Sequence, residues 1–229
     1  MHKFDRLERL IGEKNVCALA KYCICVVGCG GVGGYAIEAF ARSNIGTLIL
    51  IDPDIVTLTN YNRQLIATDQ TINQKKVISF QKRIASINDK CHVIIYDDKL
   101  SEENIEQLIP KTIDYVVDAC DDTKAKLAMI EYCTKYHLPF ISAMGTGNRI
   151  DSSQLAITTL DKTCNDPLAK VMRQKVKKSG IKQKITVCTS YEIPIKTTDT
   201  TIASCSFVPR SAGLLIASHV VDNLIKKTS

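Results

Sequence analysis

The chain has 229 residues, of which 45% are hydrophobic and 24% charged, and its formal net charge is +6. These values are typical of a soluble globular protein that is long enough to bury a sizeable core. No apolar run approaches the roughly 20 residues of a membrane-spanning helix. Residues 1–14 carry charges throughout, so we expect neither a signal peptide nor a membrane anchor. We therefore expect a cytoplasmic protein that does not bind membranes.

Strand and helix patterns alternate along the first two thirds of the chain. The predicted strands are residues 22–27, 47–52, 92–97, 114–120 and 139–144. Helices are expected between them, through about residue 43 and at 73–87, 101–109 (with a capping box at its start) and 124–137. The alternation predicts an α/β fold with a Rossmann-like, mostly parallel sheet and helices on both faces.

Beyond residue 145 the pattern changes. It indicates a turn and a strand that need not be parallel, then a basic helix, a strand within 184–192 and a mobile loop at 194–204. A short strand and a C-terminal helix are expected last, with Pro209 near the start of that helix. No linker separates independent domains, so residues 1–229 are expected to form one domain, in which 146–229 extend a nucleotide-binding part at 1–145.

The chain contains ten cysteines, and several of them lie inside apolar runs, as is typical of buried free thiols. No CxxC pair occurs, so we expect no zinc site. A disulfide framework is not expected in a cytoplasmic nucleotide-binding protein.

The stretch GCGGVGG, residues 28–34, follows a predicted strand and opens a helix. Its glycines permit a tight turn and let backbone amides approach a phosphate at the helix N-terminus. The candidate phosphate-binding residues are Gly28, Gly30, Gly31 and Gly33. Asp52 ends the second strand and is placed to accept hydrogen bonds from ribose hydroxyls, or simply to cap a turn. These features alone suit NAD as well as ATP.

The polar residues that follow favour ATP. The candidates for its binding are Asp54, Asn60, Arg63, Gln64 and Lys76. A triphosphate carries more charge than a dinucleotide, and a fixed guanidinium and ammonium would stabilise it. Asp121 follows the fourth strand at the carboxyl edge of the sheet and is the candidate carboxylate for Mg²⁺. An NAD-dependent dehydrogenase would leave Arg63, Lys76 and Asp121 without a task.

The chain resembles the ubiquitin-activating-type adenylyltransferase superfamily in GCGGVGG, LIDPDIVTLTNYNRQ, QKKV and DACDD, together with the N-terminal FDRLERLIG. The resemblance implies that Asp52 binds the ribose, that Asn60, Arg63, Gln64 and Lys76 bind the phosphates, and that Asp121 binds Mg²⁺. It also implies a homodimer in which Arg6, or alternatively Arg9, reaches the γ-phosphate of ATP in the partner subunit. The catalytic candidates are thus Arg6, Arg63, Lys76 and Asp121.

The second half is similar to the tRNA threonylcarbamoyladenosine dehydratase branch, in ISAMGTGNRID, KTCNDPLAKVMRQKVKKSGI and SFVPRSAGLLIASHVV. The branch implies ATP-dependent adenylation of the threonylcarbamoyl carboxylate on tRNA, followed by ring closure and loss of AMP. It also implies a sulfur-transfer or cysteine-desulfurase partner. The basic run without acids at 170–184 then becomes a tRNA contact. The candidates are Arg149, Lys170, Arg173, Lys175, Lys177, Lys178 and Arg210.

Two alternatives stay open. The chain could be an adenylyltransferase for a sulfur-carrier or ubiquitin-like protein, in which Cys188 or Cys205 would form a thioester. It could also be a regulatory protein that binds a nucleotide without turnover. Asp122, where the superfamily often has Asn or a small hydroxyl residue, is expected to cap the following helix rather than to bind Mg²⁺.

Overall fold

The computed structural model describes residues 2–198 and 201–227, and the strands of this part form a single seven-stranded sheet. The strands are β1 (Cys23–Val27), β2 (Thr47–Ile51), β3 (His92–Tyr96), β4 (Tyr115–Asp118), β5 (Phe140–Ala143), β6 (Leu155–Thr159) and β7 (Thr186–Ser190). Their order across the sheet is β3-β2-β1-β4-β5-β7-β6. Neighbouring strands are parallel except β6, which is antiparallel to β7. The predicted fold class is confirmed.

Helices cover both faces of this sheet. In the described residues they are α1 (Asp5–Ile11), α2 (Glu13–Leu19), α3 (Gly33–Arg42), α4 (Lys76–Ile87), α5 (Ile105–Leu108), α6 (Thr123–Lys135), α7 (Pro167–Lys178) and α8 (Phe207–Lys226). On one face α3, α4 and α8 pack on Ile24 and Val26 of β1, and on the other face α5 and α6 pack on Cys25 and Val27. Because successive strand side chains point to opposite faces, the apolar run of β1 fills both cores.

The start of α8 differs from the sequence prediction. The sequence predicts a short strand at this point, whereas the chain is helical from Phe207, with Ser206 as the N-cap residue. Pro209 lies in the first turn, where its fixed φ suits the helix and its missing N–H is not needed. Val208 and Ala212 are fully buried, so their packing in the core outweighs local β-propensity. The predicted strand is wrong, and the place of Pro209 is confirmed.

Two other helices are shorter than the sequence predicts. α4 begins at Lys76 rather than at residue 73, because Asn73 has a φ of +63° and Lys75 is extended. α5 does not begin in a capping box at residue 101. Instead, the Ser101 N–H donates to Asn104 Oδ1 at 2.8 Å, which closes a turn ahead of the helix.

The loop predicted at 194–204 connects two parts of the carboxyl edge of the sheet. Residues 199 and 200 lie outside the described residues. The Ala203 N–H donates to Asn148 Oδ1 at 2.7 Å, and Asn62 Nδ2 donates to the Ser204 carbonyl at 2.9 Å. This end of the loop therefore joins the segment after β5 to the segment that carries the phosphate candidates. No helix in the described part of the chain has the length and apolar character that membrane crossing requires.

Candidate nucleotide-binding site

The glycine loop lies between β1 and α3 and leaves no room for other side chains at two positions. Gly28 has a φ of +91°, and a Cβ there would lie 2.7 Å from the Ala119 carbonyl carbon. A Cβ at Gly33 would lie 1.8 Å from the Gly28 oxygen. No side chain caps the N-terminus of α3, and the Gly34 and Tyr35 N–H groups donate to the Gly30 and Val32 carbonyls at 3.0 and 3.2 Å, which closes the tight turn. The loop is thus shaped to hold an anion with its backbone.

Asp52 supports this loop from the end of β2. The residue is only 4% exposed. Its Oδ2 accepts from the Cys29 N–H at 2.6 Å, and its Oδ1 accepts from the Asp54 N–H at 2.8 Å. Burial raises the pKa of the Asp52 carboxyl above its ordinary value. Asp52 therefore fixes the loop and its own turn, and its contact with ribose stays a prediction.

Lys76 is the first residue of α4 and is 5% exposed. Its Nζ lies 2.7 Å from Asp54 Oδ2 and 3.7 Å from Asp52 Oδ1. The side chain of Asp54 is 64% exposed, whereas that of Asp52 is 5% exposed. The buried Lys76 ammonium is thus neutralised partly by Asp54, whose carboxylate lies at the open rim of the site. A more highly charged anion can displace this carboxylate from Lys76.

Arg63 and Gln64 lie against the glycine loop, as predicted for phosphate ligands. Cγ of Arg63 is 3.3 Å from the position a Cβ on Gly31 would take, and Nε2 of Gln64 is 3.7 Å from that position on Gly30. Arg63 Nη1 donates to the Thr59 carbonyl at 2.8 Å. Gln64 is 6% exposed, and its Oε1 has no partner among the described residues. The Gln64 Oε1 therefore lacks a hydrogen-bond donor, and direct contact of Gln64 with phosphate stays a prediction.

Asn60 has a local role. Its Oδ1 accepts from the Thr57 N–H at 3.0 Å in a capping box around the 3₁₀ turn Leu58–Asn60. This bond fixes the turn that presents Arg63 and Gln64. Direct contact of Asn60 with phosphate stays a prediction.

Asp121 and Asp122 lie side by side with different roles. Asp122 caps α6 by accepting from the Lys124 and Ala125 N–H groups at 2.8 and 3.3 Å. Its hydrogen bond with Lys99 and these backbone bonds lower the pKa of Asp122 to about 2. The predicted cap is confirmed. Asp121 is exposed and makes no hydrogen bond or ion pair with residues 2–198 and 201–227, so its carboxylate is available to a cation.

A buried network behind Asp121 goes beyond the sequence predictions. Asp118 ends β4 and Lys126 lies on α6, and both are 0% exposed. Lys126 Nζ donates to Asp118 Oδ2 at 2.9 Å, to the Ser142 hydroxyl at 3.2 Å and to the Ala143 carbonyl at 2.7 Å. The network joins β4, β5 and α6 beneath the turn that carries Asp121. The only signal in the sequence is a lysine among the buried alanines and Met129 of α6.

Arg149 does not have the exposed position that a tRNA contact requires. It is 3% exposed, and it donates to the backbone carbonyls of Gly145, Asn165 and Glu192. Its Nη1 also lies 3.8 Å from a carboxylate oxygen of Asp166, the N-cap residue of α7. The structure corrects this assignment: Arg149 holds the loop after β5 to the start of α7.

The other basic candidates on α7 differ in exposure. Arg173 is half-buried and donates to the Thr163 carbonyl at 2.9 Å, which commits part of its guanidinium to the fold. Lys175 is also half-buried. The exposed cations of this helix are Lys170, Lys177 and Lys178.

Arg210 and Arg6 occupy opposite ends of α3. Arg210 is half-buried on the first turn of α8, and its Cζ lies 5.1 Å from the centre of the Tyr35 ring. Arg6 is exposed on α1 and lines a groove with Arg42, at the C-terminal end of α3. A helix of the length of α3 spans about 15 Å. Arg6 is therefore remote from the glycine loop of its own chain.

Most of the cysteines are buried or half-buried, and Cys17 and Cys164 are exposed. All ten are free. Cys188 is 2% exposed, and burial raises its pKa to about 12. Cys205 donates to the Arg149 carbonyl at 3.2 Å. The thioester role considered for Cys188 does not fit a buried thiol that stays protonated at neutral pH.

The glycine loop, the buried acid–lysine cluster and the parallel sheet define a Rossmann-like nucleotide-binding protein. More specifically, the chain belongs to the ThiF family, whose model matches residues 4–229. It is 39% identical to the tRNA threonylcarbamoyladenosine dehydratase of Bacillus subtilis, over 99% of this chain and 96% of that protein. The resemblance predicted from the sequence is confirmed.

Solved structures show the same relationship. The Escherichia coli tRNA N6-threonylcarbamoyladenosine dehydratase, in complexes with ATP and with AMP, has a TM-score of 0.94 to this chain in both cases. The sequence identities are 34% and 35%, and the match covers 98% of this chain and 94% of those. A molybdopterin-synthase adenylyltransferase of Haemophilus influenzae is 30% identical over 76% of this chain and 67% of its own length.

Proposed function

We propose that this protein is an ATP-dependent tRNA threonylcarbamoyladenosine dehydratase. The near-full-length similarity to the Bacillus subtilis enzyme of that name carries the proposal. The described site supports it, because the glycine loop, Lys76, Arg63 and Gln64 form a surface suited to a polyphosphate. The substrate is tRNA whose threonylcarbamoyladenosine lies beside the anticodon, and ATP is the second substrate.

The reaction has two steps. A carboxylate oxygen of the threonylcarbamoyl group attacks the α-phosphorus of ATP, and pyrophosphate leaves. A nitrogen or oxygen atom of the same side chain then attacks the activated acyl carbon and gives up its proton, and AMP leaves with the former carboxylate oxygen as the ring closes, so the nucleoside loses one water in total. Charge builds on phosphate oxygens in the first step, where the backbone N–H groups of the loop, Lys76 and Arg63 would stabilise it. The chain's contribution is mainly positioning and charge stabilisation.

We also propose Mg²⁺ as the metal, held with ATP by Asp121. The exposed carboxylate without a partner in the described structure is a hard oxygen ligand of the kind that Mg²⁺ prefers. When bound, the ion neutralises phosphate charge. Replacing Asp121 with Asn is expected to raise the Mg²⁺ concentration needed for half-maximal activity, with unchanged thermal stability. An unchanged Mg²⁺ dependence would contradict the assignment.

We also propose the homodimer that the family resemblance implies. The position of Arg6, at the far end of α3 from its own glycine loop, supports a role of this arginine at the ATP of a partner subunit. The exposed lysines of α7 would bind the tRNA. Residues 1–145 would form the ATP-binding part and 146–229 the extension toward tRNA and the dimer partner. Cytoplasmic localisation and a sulfur-transfer partner belong to the same proposal.

The decisive experiment is to incubate the protein with ATP, Mg²⁺ and tRNA that carries threonylcarbamoyladenosine, and to weigh the nucleosides. We expect the modified nucleoside to lose the mass of one water, with release of AMP and pyrophosphate. Omission of ATP is the first control and the Lys76→Ala variant the second. Unchanged nucleoside mass with folded wild-type protein would refute the proposed function.

Two competing functions predict other outcomes of the same experiment. An adenylyltransferase for a carrier protein would exchange pyrophosphate only when a peptide C-terminus is supplied. The 30% identity to a molybdopterin-synthase adenylyltransferase fits this alternative only as a relationship within the superfamily. A regulatory protein would bind ATP without turnover even in the presence of modified tRNA.

A further inference from the structure

Arg210 differs from the other arginines that are not exposed. Arg83 donates to Glu38, and Arg63, Arg149 and Arg173 each donate to at least one backbone carbonyl. Arg210 has neither a hydrogen bond nor an ion pair with the described residues, and its Nε is buried without an acceptor. A partly buried guanidinium that lacks an acceptor is unfavourable unless a ligand supplies one.

The position of Arg210 beside the glycine loop indicates which ligand supplies the missing acceptor. The first turn of α8 lies against the glycine loop, where Pro209 Cβ is 3.2 Å from the position of a Cβ on Gly31. Arg63 Cγ is 3.3 Å from that same position. One turn further along α8, a Cβ on Gly213 would lie 2.2 Å from the Val32 carbonyl oxygen, so the two helices are in close contact here. Arg63 and the turn that carries Arg210 therefore both lie against Gly31.

Tyr35 orients the guanidinium without using its donors. Tyr35 lies on the first turn of α3, and its ring centre is 5.1 Å from Arg210 Cζ. A cation–π contact attracts the face of the guanidinium, and the N–H groups at its edge remain free to donate. A planar fork held in this way suits bidentate recognition of phosphate oxygens.

We propose that Arg210 is a further phosphate-binding residue of the nucleotide site, and that it contacts the polyphosphate of ATP beyond the α-phosphate. This assignment rests on the proposed ATP-dependent function. It replaces the direct tRNA contact predicted for Arg210 from the sequence. Because RNA phosphates offer the same oxygens, the test has to separate the nucleotide from the RNA.

The test compares Arg210→Met, which keeps the stem of the side chain, with Arg210→Lys, which keeps the charge but not the fork. Lys82→Met, at an exposed position of α4, is the control for net charge. Dissociation constants for ATP and AMP are measured by calorimetry without tRNA, and melting temperatures are recorded. In Arg210→Met the dissociation constant for ATP is expected to rise about ten- to a hundredfold, as for the removal of a hydrogen bond to a charged group. The constant for AMP is expected to stay within about twofold, since AMP lacks the phosphates concerned.

Arg210→Lys should recover part of the ATP affinity, and Lys82→Met should match the wild type. Unchanged ATP affinity together with a raised KM for tRNA would overturn the assignment in favour of an RNA contact. Unchanged ATP affinity together with a lower melting temperature would mean that Arg210 only stabilises the fold by packing on Tyr35. A wild-type protein that binds ATP but does not dehydrate the nucleoside would refute the proposed function and leave the Arg210 contact standing. A wild-type protein that binds neither nucleotide would refute both.

Discussion

Two of the buried clusters of cations and carboxylates in the described residues, one in each half of the chain, are built differently. In the first cluster, Lys76 pairs with Asp54, whose side chain is 64% exposed. In the second, the side chains of Arg149 and Asp166 are 1% and 0% exposed. Arg149 is also held by backbone carbonyls, which a ligand does not displace. Burial of a cation therefore does not define its role. A buried cation indicates a binding site when its partner is an exposed carboxylate that a ligand can replace, as Asp54 is for Lys76.

The largest expected effect tests the exchangeable cluster. Lys76→Ala should lower kcat/KM for dehydration about a hundred- to a thousandfold, because it removes a preorganised cation from the phosphates. The fold is expected to persist, since Asp52 keeps its two backbone donors. Steady-state kinetics with ATP and modified tRNA, and circular dichroism, measure the two properties.

The neighbouring lysine provides a matched control. Lys75 is the N-cap residue of the same helix, but its Nζ pairs with Asp97 at 2.7 Å and donates to the Pro53 carbonyl at 3.1 Å rather than pairing with Asp52 or Asp54. Lys75→Ala should therefore keep most of the activity. Equal activities of the two variants would remove the distinction between Lys76 and an ordinary surface lysine.

The second prediction tests the closed cluster. Arg149→Met should reduce the free energy of unfolding by about 3–5 kcal/mol, because it leaves three backbone carbonyls without their donor as well as the buried Asp166 carboxylate without its cation. Per folded molecule, tRNA affinity should not change. Lys177→Met, at an exposed site, should alter stability by no more than about 0.5 kcal/mol. Denaturant unfolding checks the first value, and a stable Arg149→Met variant with weakened tRNA binding would reverse the assignment.

Most of the fold can be predicted from the sequence because its signals are local. Apolar runs such as 22–27 are buried on both faces of a parallel sheet, and they stand out without any knowledge of their partners. The pattern of the glycine loop is also local, and Gly33 is required by the Gly28 carbonyl oxygen within the turn, although Gly28 itself is required by the backbone of Ala119 after β4. The capping role of Asp122 depends on its own next turn.

The features that cannot be predicted depend on distant partners. Lys126 is neutralised by Asp118 and also donates to Ser142, and these two residues lie on two different strands. Arg149 is in the middle of a loop rich in polar residues, and only the folded chain brings Asn165 and Glu192 to it. Helix starts such as Phe207 are also not evident from the sequence, because core packing of the first turn of α8 outweighs its β-propensity.

The third prediction concerns the lysines of α7 that lie outside the closed cluster. Replacing all three exposed ones with Gln should weaken tRNA binding and lower the slope of log K against log salt by about 0.7–0.9 for each RNA phosphate that the variant no longer neutralises. The rate at saturating tRNA should change little, because these lysines position the RNA. The positions are Lys170, Lys177 and Lys178, and the control replaces three exposed lysines elsewhere, namely Lys21, Lys82 and Lys90. An equal reduction of the salt dependence in the control would place the RNA on another face.

The smallest expected effect concerns Asp122, the capping carboxylate beside Asp121. Asp122→Ala should cost about 1 kcal/mol of stability because it removes the helix cap. The folded pKa of Asp122 is about 2, below the ordinary 3.8, so its carboxylate stabilises the fold above pH 3.8 and loses this effect as the pH falls through 2. The stability difference between Asp122→Ala and the wild type should therefore shrink when unfolding is measured at pH 3 instead of pH 5. Asp122→Asn, which keeps a capping oxygen without the charge, should show a smaller difference with little pH dependence. A constant difference across this range would mean that the ionised carboxylate stabilises the fold neither through its bond with Lys99 nor through the cap.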